Sequence, residues 1–145
     1  MNKFNVVKTI SLIVLFLFVT GCEKKEEKKS EIIVDKQMPV VEILYMNHGP
    51  VQPVLKKMRS EFAQFENKVE FKWYDFEKDI EFKSKKGIDY HTPLVVWINN
   101  SNIVDIDGEK VTFSGFPKDD GPEFARGQWN ISQLVKAVQK VVKGN

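Results

Sequence analysis

The stretch of sequence that decides the fold runs from Pro39 to Phe65 and reads PVVEILYMNHGPVQPVLKKMRSEFAQF. Residues 40–46 are apolar at nearly every position except Glu42, which is typical of a strand buried on both faces of a sheet. A polar turn at 47–50 follows, and apolar residues then recur at three- and four-residue spacing, as on one face of a helix. These helical positions are Val51, Val54, Leu55, Met58, Phe62 and Phe65. The stretch therefore predicts a buried strand that turns at once into an amphipathic helix.

Residues 68–98 predict a second strand, a second helix and a third strand. The alternation over 68–74 is typical of a less buried strand at a sheet edge. A weaker helical pattern over 75–86 places Phe76 and Ile80 on one side, and Gly87 is a plausible end of that helix. The apolar run Leu94–Ile98 predicts a buried strand. The first strand, the helix that follows it and the second strand predict a right-handed parallel crossover.

The C-terminal part predicts an antiparallel hairpin and a closing helix. Strand-like residues 103–106 and 110–113 are joined by Asp107-Gly108, a strong hairpin signal. The segment Asp105–Glu109 resembles a calcium loop only superficially, since the full ligand spacing is missing. Asn130 is a candidate N-cap for the last helix. The apolar face of that helix comprises Ile131, Leu134, Val135, Val138, Val141 and Val142.

The first 21 residues have the pattern of an export signal. Two lysines precede an apolar run from Ile10 to Val19, which is shorter than the roughly 20 residues that a membrane span prefers. The run ends in Val19-Thr20-Gly21-Cys22, which resembles the lipobox of bacterial lipoprotein precursors. That resemblance implies that residues 1–21 are a signal peptide and that Cys22 carries a diacylglyceryl group, with palmitate as an expected acyl chain. The alternative is an uncleaved membrane helix with an incidental cysteine.

Residues 22–38 predict a flexible tether between this lipid and the folded domain. The segment is rich in Glu and Lys, and like charges recur at helical spacing, which disfavours an isolated helix. Its random-coil reach would be roughly 20 Å. Within it, Glu31–Val34 is a candidate for a short extra strand at the sheet edge. The folded domain is predicted to span 39–145.

Composition limits the partners and the redox chemistry. The formal net charge is only +2 over 145 residues. Lysines of the signal segment supply that excess, so nothing suggests nucleic acid or an anionic membrane surface as a partner. Cys22 is the only cysteine, so an intrachain disulfide is impossible and lipidation would leave the folded domain without a thiol. The lipid itself would attach the protein to a membrane on the extracytoplasmic side, in the cell envelope.

The order of predicted elements resembles the thioredoxin-like fold over roughly 39–142. The sequence His48-Gly49-Pro50-Val51 stands where that family has Cys-Gly-Pro-Cys, and a helix follows at once. Thr92-Pro93 stands just before an apolar strand, where the family has a cis proline. The resemblance implies an α/β three-layer sandwich with helices on both faces. Its mixed central sheet would combine a parallel β-α-β unit with antiparallel strands. Two departures are the early position of Pro53 and the length of 99–127.

The family's chemistry depends on a thiolate at the N-terminus of a helix, where the helix dipole lowers the thiol pKa. A second thiol then resolves the mixed disulfide. His48 and Val51 stand at these two positions, and neither side chain can exchange disulfides. The chain is therefore predicted to be redox-inactive, without thiol-disulfide oxidoreductase activity and without a cofactor.

The resemblance implies one capacity that needs no cysteine. In the family, the backbone of the residue before the cis proline, here Thr92, pairs with an extended peptide by strand addition. The candidate groove comprises His48, Gly49, Pro50, Val51, Thr92 and Pro93. The predicted function is a membrane-anchored, non-redox module that binds protein or peptide. The alternative for Thr92-Pro93 is a purely structural turn.

Two other functions stay open. His48 and His91 would lie close together in the fold that the chain resembles, and imidazoles bind copper or zinc. A third ligand is not apparent, because neither Met46 nor Asp89 is placed convincingly, so no metal site is assigned. An enzyme with unrelated chemistry would need a partner carboxylate or nucleophile that the sequence does not identify.

Overall fold

The computed structural model describes residues 37–144. The predicted signal peptide, Cys22, most of the tether and the Glu31–Val34 strand lie outside the described residues. The strands are β1 Val40–Tyr45, β2 Glu70–Asp75, β3 Leu94–Ile98, β4 Ile103–Ile106 and β5 Glu109–Thr112. The α-helices are α1 Gln52–Phe62, α2 Ile80–Lys85 and α3 Ile131–Gly144, and 3-10 turns form at Gly49–Val51, Ala63–Phe65 and Glu123–Ala125. Among these described helices, none has the length and apolar character needed to cross a membrane.

The central sheet has the order β2-β1-β3 and mixes both strand directions. β1 pairs with β2 in parallel, with Ile43 opposite Trp73, and with β3 in antiparallel, with Ile43 opposite Val96. β4 and β5 form a separate antiparallel pair. The predicted mixed α/β architecture is therefore confirmed, and β2 has no second strand neighbour within residues 37–144.

Helices cover both faces of the central sheet. Successive residues of a strand point to opposite faces, so the side chains of Ile43 and Leu44 in β1 lie on opposite sides of the sheet. Ile43 belongs to a core cluster that contains the buried residues of α1 and α3, whereas Leu44 packs with Val95, Trp97 and the part-buried Phe82 of α2. The burial of β1 on both faces follows from this arrangement.

The α1 segment folds as its pattern predicts. All six apolar positions are at most 4% exposed, so the periodicity identified the buried face correctly. The helix starts with Gln52 and Pro53, and a proline costs nothing there because the first N–H groups of a helix lack partners within it. This face anchors α1 on the sheet and fixes where its N-terminus lies.

The α2 segment differs from its prediction. The helix covers only Ile80–Lys85, and a turn occupies the residues between β2 and the helix. Ile80, predicted to be on the apolar side, is 53% exposed. The ring of Phe82 instead stacks on Tyr74, with centroids 3.6 Å apart. Gly87 has φ +66° and follows the helix end, as predicted.

The C-terminal elements confirm the hairpin and the cap. Asp107 and Gly108 have φ values of 55° and 89°, the left-handed pair that a tight hairpin requires. Asn130 Oδ1 accepts a hydrogen bond from Gln133 N at 2.9 Å, and Gln133 Oε1 accepts one from Asn130 N at 3.0 Å. This reciprocal capping box starts α3. Trp129, just before it, is fully buried in the core.

Candidate functional site

Three chain segments meet at one edge of the central sheet. β1 and β2 are parallel and end at the same edge, and β3 runs in the opposite direction, so it begins there. Tyr45 is the last paired residue of β1, and its partners are Asp75 at the end of β2 and Leu94 at the start of β3. The topology therefore brings the residues after β1 next to the residues before β3.

One backbone hydrogen bond joins these two segments. Met46 N donates to Pro93 O at 2.9 Å. His48 lies two residues after Met46, and Thr92 directly precedes Pro93. This bond brings the segment that leads into 48–51 next to the segment 92–93.

The candidate groove residues differ in what they expose. His48, Gly49 and Pro50 are exposed, and Pro93 is half-buried. The side chain of Val51 is fully buried in the core cluster of α1. The side chain of Val51 can therefore support the groove from the core but does not form part of its exposed surface.

Thr92 is almost wholly buried, and its backbone groups lack backbone partners within residues 37–144. The residue is 5% exposed, and its hydroxyl Oγ1 donates to Leu94 O at 3.5 Å. Across residues 37–144, neither its N–H nor its C=O makes a backbone hydrogen bond. These are the two groups that an added strand would use.

The 3-10 turn at Gly49–Val51 leaves space above it. A Cβ atom built on Gly49 would meet no described atom within 4 Å. His48 is the residue before the turn, with extended backbone at φ −135° and ψ 168°, and its O accepts from Val51 N at 3.1 Å. The backbone of Gly49, just before α1, therefore borders open space.

A hydrogen-bond chain fixes the loop between β1 and α1. Gln52 Nε2 donates to Asn47 Oδ1 at 2.8 Å, and Asn47 Nδ2 donates to Asp75 Oδ2 at 3.2 Å. Asp75 Oδ1 also accepts from Glu77 N at 3.0 Å. No pattern in the sequence singled out Asn47 or Asp75. The feature that could have identified Asp75 is its position: it is a carboxylate at the end of a strand, directly opposite the loop.

The pKa of the buried Asp75 carboxyl is lowered. Burial acts in the opposite direction and would raise it, but the hydrogen bonds from Glu77 N and Asn47, with the nearby Lys78 ammonium, outweigh burial. Lys78 Nζ lies 3.7 Å from Asp75 Oδ2. An ionised carboxylate therefore lies just behind the groove.

The two histidines have different neighbours. His48 Nε2 lies 3.4 Å from Met46 Sδ. The His91 ring is exposed and packs edge-on against Phe76, with centroids 6.2 Å apart. Over the described range 37–144, no group of three or more His, Cys, Asp or Glu side chains could hold a metal ion. The missing third ligand noted for the histidine pair is not supplied by a residue of these types.

A third loop leaves the same edge. Gly115 N donates to Leu94 O at 2.8 Å, so the chain returns beside the start of β3 before the loop begins. The loop then closes on itself, since Phe116 N donates to Ala125 O at 2.8 Å and Gly127 N to Phe116 O at 2.6 Å. Phe124, in this loop, is 94% exposed. The start of this loop therefore lies beside Leu94, which follows Pro93.

No protein-family model matches this chain, and neither does any curated protein. The groove has no thiol, because the sole cysteine of the sequence is Cys22. It does combine unpaired backbone groups at Thr92, a half-buried proline and open space at a helix N-terminus. Such a surface can bind main chain, and it lacks the groups for disulfide exchange.

Proposed function

We propose that this chain is a lipid-anchored protein of the cell envelope whose thioredoxin-like domain, residues 39–145, binds an extended peptide or protein segment without redox chemistry. The observation that carries the proposal is the hydrogen bond from Met46 N to Pro93 O. It puts the unpaired backbone of Thr92 beside the open N-terminus of α1. The binding surface is the candidate groove formed by His48, Gly49, Pro50, Thr92 and Pro93, with Val51 beneath it.

The thioredoxin-like assignment is supported by the arrangement of layers. A parallel β1–β2 pair linked through α1, an antiparallel β3, and helices on both faces fit the architecture that the motifs imply. The position of His48-Gly49-Pro50-Val51 at the start of α1, adjacent to Pro93, fits it as well. In an α/β domain of another fold, these features would have no reason to occur together.

The absence of redox activity is proposed from residue chemistry. Disulfide exchange needs a thiolate nucleophile and a leaving thiol. His48 and Val51 occupy the positions of the pair, and Val51 is fully buried. Cys22 precedes the domain, and the proposed lipid would block its sulfur.

Peptide binding by strand addition is supported by the state of the Thr92 backbone. Extended peptides bind through main-chain hydrogen bonds, and side-chain pockets then add specificity. Thr92 has a free N–H and a free C=O with respect to the described backbone, while its side chain is buried. The exposed imidazole of His48 and the space over Gly49 would contact the side chains of a bound segment.

Membrane attachment is proposed from the sequence alone. The lipobox-like Val19-Thr20-Gly21-Cys22 follows an apolar run of signal-peptide length. Several acyl chains on one cysteine anchor a protein firmly, where a single chain binds reversibly. The charged segment 22–38 would hold the domain away from the lipid headgroups.

The experiment is a peptide selection against the full chain, purified in detergent, followed by affinity measurement. A selected peptide is then N-methylated at one backbone position at a time. We expect one or two positions to lose about tenfold or more in affinity, because each methyl removes a single main-chain hydrogen bond of about 1–1.5 kcal/mol. Uniform tolerance of N-methylation would contradict strand addition.

A matched pair of glycine substitutions locates the site. Gly49→Trp places a bulky ring where the structure has free space, and Gly144→Trp does the same at the far end of α3. We expect the first variant to lose peptide binding and the second to keep it. Both must retain the thermal transition of the parent chain. Equal binding by the two folded variants would refute the groove.

A further inference from the structure

A thioether and an imidazole lie together at the edge of the groove. Met46 Sδ and His48 Nε2 are 3.4 Å apart. Met46 is 2% exposed, whereas His48 is exposed, so the imidazole covers a sulfur that is otherwise buried. The peptide-binding proposal uses the exposed imidazole of His48 but not its contact with Met46.

The separation of the two atoms suits joint coordination of one metal ion. Typical first-row bond lengths are about 2.0 Å to imidazole nitrogen and about 2.3 Å to sulfur. With a 3.4 Å separation, such bonds would meet at the metal with an angle of roughly 105°, close to tetrahedral. Two positions would stay open toward solvent, on the exposed side of His48.

The ligand types select the metal. Thioether sulfur is a soft ligand that favours Cu(I), and imidazole also binds copper well. Zn²⁺ and the hard cations prefer thiolate, carboxylate or carbonyl ligands, and no group of three such side chains with histidine exists between residues 37 and 144. The pair therefore fits a monovalent soft ion better than a divalent one.

Both ligands are held in place before any metal arrives. The Met46 backbone is fixed by its bond to Pro93 O, and His48 N donates to Met46 O at 3.0 Å. Asn47, between them, is tied to the Asp75 carboxylate at 3.2 Å. That carboxylate supplies a negative charge near the site, and Lys78, 3.7 Å from it, is the positive group that faces it.

We propose that Met46 and His48 form a binding site for one Cu(I) ion, with an open position for an external soft or nitrogen ligand. The site binds the ion as Cu(I), without a change in oxidation state. His91 is not a ligand in this proposal. His48 belongs to both proposed sites, whereas Met46 belongs only to the copper site and Thr92 only to the peptide groove.

The test is an anaerobic titration of the full chain with Cu(I), in competition with a chromophoric Cu(I) chelator. A Cys22→Ser background removes the only thiol that could bind the ion. We expect one bound Cu(I) per chain. Met46→Leu, which conserves volume, and His48→Gln should each weaken binding by about 100-fold or more, since loss of even an outer-shell partner of a ligand can cost that much. His91→Gln is the matched control and should bind as the parent does.

X-ray absorption at the copper edge provides a second readout. A copper–sulfur distance of about 2.3 Å should appear in the parent and be lost in folded Met46→Leu. Failure of the parent to compete with the chelator would overturn the proposal. So would equal binding by the parent and both ligand variants, or a loss in His91→Gln with Met46→Leu unaffected.

Discussion

Lys86 Nζ lies 2.5 Å from Glu42 Oε2, and only 11% of the Lys86 side chain and 15% of the Glu42 side chain are exposed. The ammonium also lies near the rings of Phe82 and Trp97, at 5.3 Å and 5.2 Å from their centroids. This ion pair ties the end of α2 to the central strand β1. It therefore joins the α2 layer to the sheet through charge as well as through apolar contact.

Replacing Lys86 by Met should destabilise the domain. The substitution leaves the Glu42 carboxylate largely buried without its partner, which costs about 3 kcal/mol. Urea unfolding followed by tryptophan fluorescence measures the change. The Glu42→Gln, Lys86→Met double variant should recover a large part of the loss, since no unpaired charge is left. A double variant that is less stable than Lys86→Met would contradict this account.

Gly127→Ala should also destabilise the domain, by about 1–3 kcal/mol, because its Cβ has no room. The added atom would clash with Ser114 O and would come within 2.7 Å of the Trp129 ring. Differential scanning calorimetry gives the shift in Tm. Gly49→Ala is the control, since no described atom lies within 4 Å of its Cβ. Similar decreases in Tm for Gly127→Ala and Gly49→Ala would show that the close approach of Ser114 and Gly127 is unimportant for stability.

Asp75 should contribute stability that is lost in acid. Its pKa in the folded state is below the ordinary value of 3.8, so the contribution is fully present above pH 3.8 and disappears as pH falls through the lower, folded-state pKa. The measurement is the Tm of the parent and of Asp75→Asn from pH 7 to pH 2. The gap between them should be constant near neutrality and narrow below pH 3.8. Asp119→Asn, at an exposed position, should show no such gap. A gap that persists unchanged at pH 2 would exclude the carboxylate as its source.

The chain should fail to reduce insulin, and two substitutions should install that activity. In a Cys22→Ser background, His48→Cys together with Val51→Cys places two thiols at the start of α1, where the helix N-terminus stabilises a thiolate. Insulin turbidity with dithiothreitol measures the rate. The parent should match the uncatalysed rate and the double variant should exceed it. Catalysis by the unmodified chain would refute the proposed loss of redox function.

Cys22 should carry lipid in cells that process bacterial lipoproteins. Metabolic labelling with an alkyne analogue of palmitate should label the parent, and mass spectrometry of the N-terminal peptide should show the acylated cysteine. Cys22→Ser should be unlabelled and should leave the membrane fraction. Membrane retention of an unlabelled Cys22→Ser protein would favour the alternative of an uncleaved helix.

The sequence predicted the long elements well because their patterns repeat many times. In α1 and the 3-10 turns that flank it, six apolar positions agree on one face, and all six are buried. In α2, only six residues are helical, which is too few for periodicity to show whether Ile80 or Phe82 faces the core. The face of α2 that packs on the sheet is set by the contact between Phe82 and Tyr74 of β2. A local sequence pattern does not contain that contact.

The candidate site, like the helices, could be predicted from the sequence only in part. The resemblance predicts that 48–51 and 92–93 are neighbours, and the structure joins Met46, two residues before His48, to Pro93. The contact between Met46 and His48 was not predictable, since it depends on how residue 47 turns the chain. That turn is fixed by Asp75 and Gln52, which come from two other elements.

The chain enters the described domain at Val40, the first residue of the central strand β1. Tension transmitted along residues 22–38 from a membrane would therefore act first on the strand that has a neighbour on each side. A pull along the axis of β1 would load its hydrogen bonds to β2 and β3 in shear, so that they would have to break together. We expect mechanical resistance to be highest when the domain is pulled from this end.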